Sequence, residues 1–274
     1  MKSILILGGD GMLGYQMFKH LSKRYDDVYC TIRGSLEDLE EFEIYNEENT
    51  LDSIDLYTDF NLLKIIVKEK QIDTIINCAG LIRQRDNLSK SMMIFINSYL
   101  PHLLVETFKD CVTFNFGTDC YKDDDFYGRT KNLGEVVADN AVFIRSSIIG
   151  REIKNKKSFL EWILGSEGKT IKGYKNFMYN GITTLEMSKF VDCALRNLDK
   201  CKGQFFQVVS DPISKYDIVE KVIRIFDIKG VVLLSDVDVE EDKTLIQSKT
   251  VDKLNLVVPS WEEMIQSVKD DENA

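Results

Sequence analysis

Short apolar runs alternate with longer amphipathic stretches along the first 150 residues. Ser3–Leu7, Val28–Ile32, Thr74–Asn77, Val112–Phe116 and Ala141–Arg145 are short and nearly continuous in apolar character, which predicts strands covered on both faces. Between them, Met12–Arg24, Asn61–Lys70, Met92–Phe108 and Tyr127–Ala138 carry apolar residues at helical spacing. This alternation predicts an α/β fold, a doubly wound parallel sheet with helices on both faces. After Gly150 the rhythm loosens. Phe159–Leu164, Leu185–Leu198 and Lys215–Phe226 read as helices and Phe205–Val209 as a strand. The chain is therefore expected to divide into residues 1–150, a sheet domain, and 151–274, a smaller and partly interleaved lobe. The acidic stretch Glu37–Glu48 reads as a solvated surface segment, and the tail after Lys269 as frayed.

Composition narrows the function classes. With 274 residues, 44% hydrophobic and 29% charged, the chain is an ordinary globular sequence. Its net charge of -10 argues against nucleic acid or an anionic membrane surface as a partner. It leaves room for an anionic small molecule held by a few local donors. None of the six cysteines forms a C-x-x-C pair, so they read as reduced thiols of a cytoplasmic protein. The apolar run at the N-terminus breaks at once into Gly8-Gly9-Asp10-Gly11, which denies it the core of a signal peptide. His20 reads as a surface imidazole and His102 as structural. Two isolated histidines do not make a zinc site, and no metal is expected.

The first candidate chemistry follows the first strand. In Gly8-Gly9-Asp10-Gly11-Met12-Leu13-Gly14, the residues Gly8, Gly11 and Gly14 stand at G-x-x-G-x-x-G spacing, between a strand and a helix. Glycine there permits a tight turn and lets backbone N–H groups approach a pyrophosphate at the positive end of a helix dipole. The second strand ends Cys30-Thr31-Ile32-Arg33, where an acidic residue would be expected to meet a free ribose 2′-OH. Arg33 in that place favours NADPH over NAD; the alternative is a solvent-facing arginine with no ligand.

The second candidate is Tyr127-Gly128-Arg129-Thr130-Lys131, which sets a phenol and an ammonium at i and i+4 on one helix face. A nearby cation favours phenolate, and such a tyrosine can donate a proton to a carbonyl oxygen while hydride reaches the carbon. Thr118 ends an apolar strand, where a hydroxyl points toward the crevice used by ligands in open α/β sheets. Arg83 and Arg85 follow Gly80 in a loop after a strand, placed either to meet a substrate diphosphate or to remain solvated.

These pieces, together with Asn77-Cys78-Ala79-Gly80, Asn97, Asp119-Cys120, Leu133-Gly134-Glu135 and Arg145-Ser146-Ser147, run in order through the first 150 residues. The set resembles the extended short-chain dehydrogenases/reductases, and within them the dTDP-4-dehydrorhamnose reductase group. The resemblance implies a Rossmann-type sheet with a smaller mixed C-terminal substrate-binding lobe. It implies Tyr127 as general acid, Lys131 as holder of the nicotinamide ribose, Thr118 as a donor to the substrate carbonyl and Asn97 as support for a water relay. Asp55 and Leu56 would border the adenine, and Cys78, Ala79 and Gly80 would line the cofactor through their backbone. Asp119, Asn180 and Thr183 would reach the substrate, the last two within or beside Gly181-Ile182-Thr183-Thr184-Leu185-Glu186, a stretch similar to one that returns to the substrate pocket in these reductases. Arg145 would either contact substrate or serve as a structural partner at a strand end.

Two departures refine the expectation. The related 4,6-dehydratases carry an Asp-Glu pair after the threonine, and Asp119-Cys120 lacks the second acid, which favours simple ketone reduction over water elimination. The connection Cys120–Phe126 is seven residues, shorter than is usual in the group, and Gly117 stands where serine is usual, so sugar specificity does not carry over. The expected function is NADPH-dependent reduction of a keto group, at C4 of a nucleotide-activated 6-deoxy-hexulose, in deoxysugar and surface-polysaccharide synthesis. The alternatives are a non-catalytic NADP-binding subunit of the same fold and an NAD-dependent sugar-nucleotide epimerase. A nucleotide sugar and, by resemblance, a second copy of the chain are the expected partners.

Overall fold

In the computed structural model, residues 2–82, 89–252 and 254–272 are described. The first half alternates strand and helix: β1 (Ser3–Leu7), α1 (Met12–Ser22), β2 (Asp27–Thr31), β3 (Thr50–Leu51), α2 (Phe60–Glu69), β4 (Thr74–Asn77), α3 (Lys90–Ile94), α4 (Leu100–Thr107), β5 (Val112–Phe116), α5 (Phe126–Leu133) and β6 (Ala141–Arg145). The second half is more broken: β7 (Ile148–Ile149), α6 (Phe159–Leu164), β8 (Thr170–Tyr174), β9 (Phe177–Tyr179), β10 (Ile182–Thr183), α7 (Thr184–Arg196), α8 (Leu198–Cys201), β11 (Gln204–Gln207), β12 (Ile213–Ser214), α9 (Lys215–Phe226), β13 (Val232–Asp236), β14 (Glu241–Asp242), α10 (Lys249–Asp252) and α11 (Trp261–Glu272).

Seven strands form one parallel sheet in the order β11-β6-β5-β4-β1-β2-β3, a Rossmann-type arrangement whose order reverses between β1 and β4. Its strands are apolar on both faces because both faces are covered. Ile4 and Ile6 of β1 enter the core beneath α1 and α7, whereas Leu5 and Leu7 enter the core beneath α2 and α4. The chain returns to this sheet after residue 150: β11 pairs with β6 in parallel, with Phe205 beside Phe143. The remaining strands make small sheets, β12-β9-β14, β13-β8 and β10-β7, in the second half.

Three expectations need correction. The helix expected over Met92–Phe108 is α3 and α4 joined by a π-helical turn, Phe95–Tyr99, in which Leu100 N–H reaches back to Phe95 O. Pro101 has no N–H to give to the Asn97 carbonyl, so the ordinary ladder fails there and the turn widens. The helix expected to reach Ala138 ends at Leu133. A Cβ on Gly134 would stand 1.9 Å from the Asn97 carbonyl oxygen, so the chain turns where only glycine passes. Beyond Lys269 the chain is helical to Glu272, with Asp271 Oδ2 bonded by Gln16 Nε2 and Lys19 Nζ, each at 3.1 Å.

His20 is also not a surface residue; its imidazole is buried between α1 and α7. There Asp192 accepts from Tyr25 Oη at 2.8 Å and Arg196 Nη1 at 2.7 Å, with His20 Nε2 at 3.8 Å. Burial and the neighbouring Arg24 cation pull the His20 pKa down to about 4, against the opposing pull of Asp192. Because the unfolded chain binds this proton near pH 6.5 and the folded chain does not until about pH 4, stability falls as pH drops through that window. Urea titrations at pH 7 and pH 5 are expected to show a loss on the order of 2 kcal/mol from this group. His20→Gln should lose correspondingly less between the two pH values, and an equal loss in both proteins would disprove the assignment.

Candidate active site

The carboxyl ends of β1, β2, β4 and β5 open on one edge of the sheet, at the point where strand order reverses. The Gly8–Gly14 turn and Cys78–Gly80 meet there because each directly follows a strand, β1 and β4. Gly8 has a positive φ of 74°, and its Cα lies against Ala79, since a Cβ on it would stand 3.3 Å from Ala79 Cα. Gly9 N–H donates to Thr31 O at 2.8 Å, which joins the glycine turn to the end of β2. A Cβ on Gly14 would stand 2.0 Å from the Gly8 carbonyl oxygen, so α1 can start this close to the turn only with glycine at position 14. Gly11 is the N-cap of α1 and supplies no side chain to its first-turn amides, including those of Met12 and Leu13. Such a cradle of uncapped N–H groups at a helix start suits a pyrophosphate, and the Gly8–Gly14 turn therefore fits a dinucleotide.

The acidic stretch expected to be solvated contributes to this turn. Tyr45 is buried, stacks on Phe18 with ring centroids 5.4 Å apart and donates its hydroxyl to Gly9 O at 2.8 Å. Nothing in the local acidic sequence marks that role. Arg33 is exposed two residues past the end of β2 and has no ion-pair partner among the described residues. Asp55 receives Tyr57 N–H on Oδ1 at 2.9 Å, while Leu56 is buried in the core beneath α2. Burial pushes the Cys78 thiol pKa up, so the thiol stays protonated beside the turn.

The second half of the site is built on α5. Asp125 caps this helix through Gly128 N–H at 2.7 Å. A Cβ at Gly128 would stand 2.4 Å from Cys120 O, so the short connection Cys120–Phe126 folds directly onto the helix. Tyr127 lies half-buried against the cluster containing Leu81, Met93 and Ile96. One turn on, Lys131 Nζ donates to Phe116 O, the last carbonyl of β5, at 2.7 Å. Burial lowers the Lys131 pKa to about 8, opposed by the negative charge of Glu135. Thr118 is buried at the start of a 3-10 turn, Asp119–Lys122, where its hydroxyl accepts from Cys120 N–H at 3.2 Å and donates to Asp119 Oδ1 at 3.1 Å.

Asn97 sits in the π-helical turn. Its Oδ1 accepts from Leu81 N–H at 2.9 Å, and its Nδ2 donates to Leu81 O at 2.8 Å and to Thr130 Oγ1 at 3.3 Å. Asn97 thus ties the loop after β4 to the helix that carries Tyr127 and Lys131. One buried polar atom at this edge, Asn77 Oδ1, has no partner among the described residues, although its Nδ2 reaches Asn115 Oδ1 at 3.0 Å.

The expected substrate residues divide. Asp119 opens the 3-10 turn that packs on the tyrosine helix; burial lowers the pKa of Lys215, from the second half of the chain, and the charges of Asp119 and Glu241 oppose that shift. Arg145 is engaged: its Nη2 meets Glu135 Oε1 at 2.6 Å and Oε2 at 2.5 Å, and its guanidinium lies 3.7 Å from the Tyr121 ring centroid. Asn180 exchanges two hydrogen bonds with the backbone of Leu245, at 2.8 and 2.9 Å. Thr183 caps α7 by accepting from Glu186 N–H at 3.3 Å. Arg83 and Arg85 lie outside the described residues. The sequence reading missed Lys215, stacked 3.5 Å from the Phe177 ring centroid, and Lys243, which pairs with Asp123 of the short connection. Neither lies in a recognisable motif.

Solved structures of several enzymes share this architecture over nearly their whole length. The dTDP-glucose 4,6-dehydratase of Bacillus anthracis, in complex with NAD, superposes with a TM-score of 0.77 at 14% identity, covering 100% of this chain and 97% of that one. The dTDP-4-dehydrorhamnose reductase of the same organism, in complex with NADP, gives 0.72 at 16% identity, with 99% of each chain covered. The ADP-L-glycero-D-manno-heptose-6-epimerase of Helicobacter pylori gives 0.77 at 15% identity, covering 100% of this chain and 96% of that one. At these identities the likeness is one of fold. Among the described residues no helix is long and apolar enough to cross a membrane, and no cluster of potential metal ligands occurs. The sequence model of the NAD dependent epimerase/dehydratase family matches residues 4–140, half of the chain, from β1 through α5, and by this match the chain belongs to that family.

Proposed function

We propose that this protein is an NADPH-dependent nucleotide-sugar ketoreductase acting on C4 of a nucleotide-activated 6-deoxy-hexulose. The observation that carries the reading is the placement of Lys131. Its ammonium is fixed on the carboxyl end of β5, on the same helix as Tyr127 and close in sequence to Thr118. A dinucleotide would be held by the Gly8–Gly14 turn with Met12 and Leu13, by Asp55 and Leu56 at the adenine, and by Cys78, Ala79 and Gly80 on the opposite wall. When bound, the nicotinamide supplies the hydride for a ketone carbon. Tyr127 gives its phenolic proton to the oxygen of that ketone, which leaves a phenolate. Lys131 stabilises the phenolate by its positive charge, and solvent returns the proton. Thr118 orients the carbonyl oxygen, and Asn97 holds the helix and the loop after β4 in register. Lack of an acid at Cys120 supports reduction without elimination of water.

On this reading residues 1–150 bind the cofactor and 151–274 close over the sugar, with Asp119 and Thr183 at the boundary. The product enters deoxysugar and surface-polysaccharide synthesis in the cytoplasm, and the working form is a homodimer.

Tyr127→Phe is expected to lower kcat with a 4-keto nucleotide sugar by ~10²–10⁴-fold, the usual worth of a positioned acid. NADPH binding, followed by fluorescence quenching, should be unchanged. Turnover that survives the substitution would remove Tyr127 from the chemistry, and a wild-type enzyme that oxidises NADPH with no 4-keto nucleotide sugar would refute the function.

The Lys131 ammonium is lost as pH rises through about 8, so kcat should fall on the alkaline side with an inflection near that value. Lys131→Arg keeps its charge at every accessible pH and should remove the inflection while retaining measurable turnover. An identical alkaline limb in both proteins would assign the inflection to another group.

A further inference from the structure

The segment after β7 reads Arg151-Glu152-Ile153-Lys154-Asn155-Lys156-Lys157, a basic run in a chain whose net charge is -10. Its shape is set by one acid of its own, Glu152, and one of α6, Glu161. Glu152 Oε2 accepts the N–H groups of Lys157 at 2.6 Å and Ser158 at 2.9 Å, and Glu161 Oε1 accepts Glu152 N–H at 2.9 Å and Arg151 Nε at 2.6 Å. Asn155 and Lys156 both take positive φ, 66° and 46°, an uncommon conformation for residues other than glycine.

The loop so fixed sends Lys154 across the molecule to the glycine turn. Its Nζ lies 3.3 Å from Asp10 Oδ2, a contact between residues 144 positions apart. The same ammonium sits beside Gly34, because a Cβ on that residue would stand 3.3 Å from Lys154 Nζ. Gly34 directly follows Arg33, whose guanidinium has no ion-pair partner among the described residues. Two cations from distant parts of the chain thus flank the end of β2, beside the glycine turn. The Asp10 contact is longer than the 2.7–2.9 Å typical of a strong charged hydrogen bond, and both partners are partly exposed. Such a pair adds little to stability. Asp10 places the ammonium without saturating it, and a dianionic phosphate would compete effectively with a single carboxylate.

We propose that Lys154 is a specificity-determining residue which, together with Arg33, receives the 2′-phosphate of NADPH. The inference rests on the reading of the glycine turn as a dinucleotide site. It goes further by assigning cofactor choice partly to a residue outside the first 150. Asp10 and Asp38, which flank the ammonium, are the charges it must overcome: Asp38 Oδ2 would stand 3.0 Å from a Cβ on Gly34. They account for a need for two cations where the strand end alone supplies one.

Dissociation constants for NADPH and NADH, measured calorimetrically on the full chain without substrate, test the assignment. Lys154→Met is expected to weaken NADPH about tenfold, the scale of one lost charged contact. NADH affinity should stay at the wild-type value, which also reports that the variant is folded. Lys154→Arg should retain NADPH affinity, and Arg33→Ala should reproduce the selective loss. If Arg33→Ala weakens NADPH and Lys154→Met does not, the role of Lys154 is overturned while the dinucleotide reading stands. A wild-type protein that binds neither dinucleotide, or binds NADH more tightly, overturns both the cofactor choice and the role of Lys154.

Discussion

The Gly8 carbonyl oxygen lies 2.0 Å from where a Cβ on residue 14 would stand, and this close approach governs how β1 passes into α1. Any side chain there would push the helix away from the turn and separate its uncapped amides from the sheet edge. The contact also sets the positions of its neighbours. Gly9 can then bond to Thr31 O, Gly8 can rest on Ala79, and Tyr45 can close over the turn from below. The tightness of one βα turn thereby aligns the ends of β1, β2 and β4 into a single rim.

The opposite wall of the rim is organised around α5, and its control is less local. Asn97 and Gly134, far apart in sequence, meet where the π-helical turn touches the end of that helix. Pro101 frees the Asn97 carbonyl, Gly134 packs against it, and the Asn97 amide reaches Thr130 and Leu81. A departure from regular helix geometry is therefore what positions Lys131 at the end of β5. Widened turns of this kind often accompany functional sites because they re-aim a side chain without breaking the helix.

Charge is distributed on the same principle. A surplus of ten negative charges is tolerable around an anionic ligand only if the few cations near it are placed by other contacts. Arg145 is committed to Glu135 and the Tyr121 ring, Lys243 to Asp123, and Lys131 to a backbone carbonyl. Arg33 stands uncommitted at the rim, and Lys154 is held there only loosely by Asp10.

Much of this was legible in the linear chain. Apolar runs of strand length, helical spacing between them, and glycines at fixed intervals are local signals, since each depends on residues a turn or a few positions apart. They determine the parallel sheet, the glycine turn and the Tyr127–Lys131 pair. The sequence alone does not say that β11 returns to the sheet, that His20 and Tyr45 are buried, that Asn97 sits in a π-helical turn, or that Arg145 is spent on Glu135. It gives no sign that Lys154 reaches Asp10. Apart from the π-helical turn and the Arg145–Glu135 pair, which span ten positions or fewer but follow no apolar period, these are contacts between residues tens to more than a hundred positions apart, and no local periodicity encodes them. They are decided when the sheet closes and brings distant segments to one edge, where burial and pairing select which polar groups remain available.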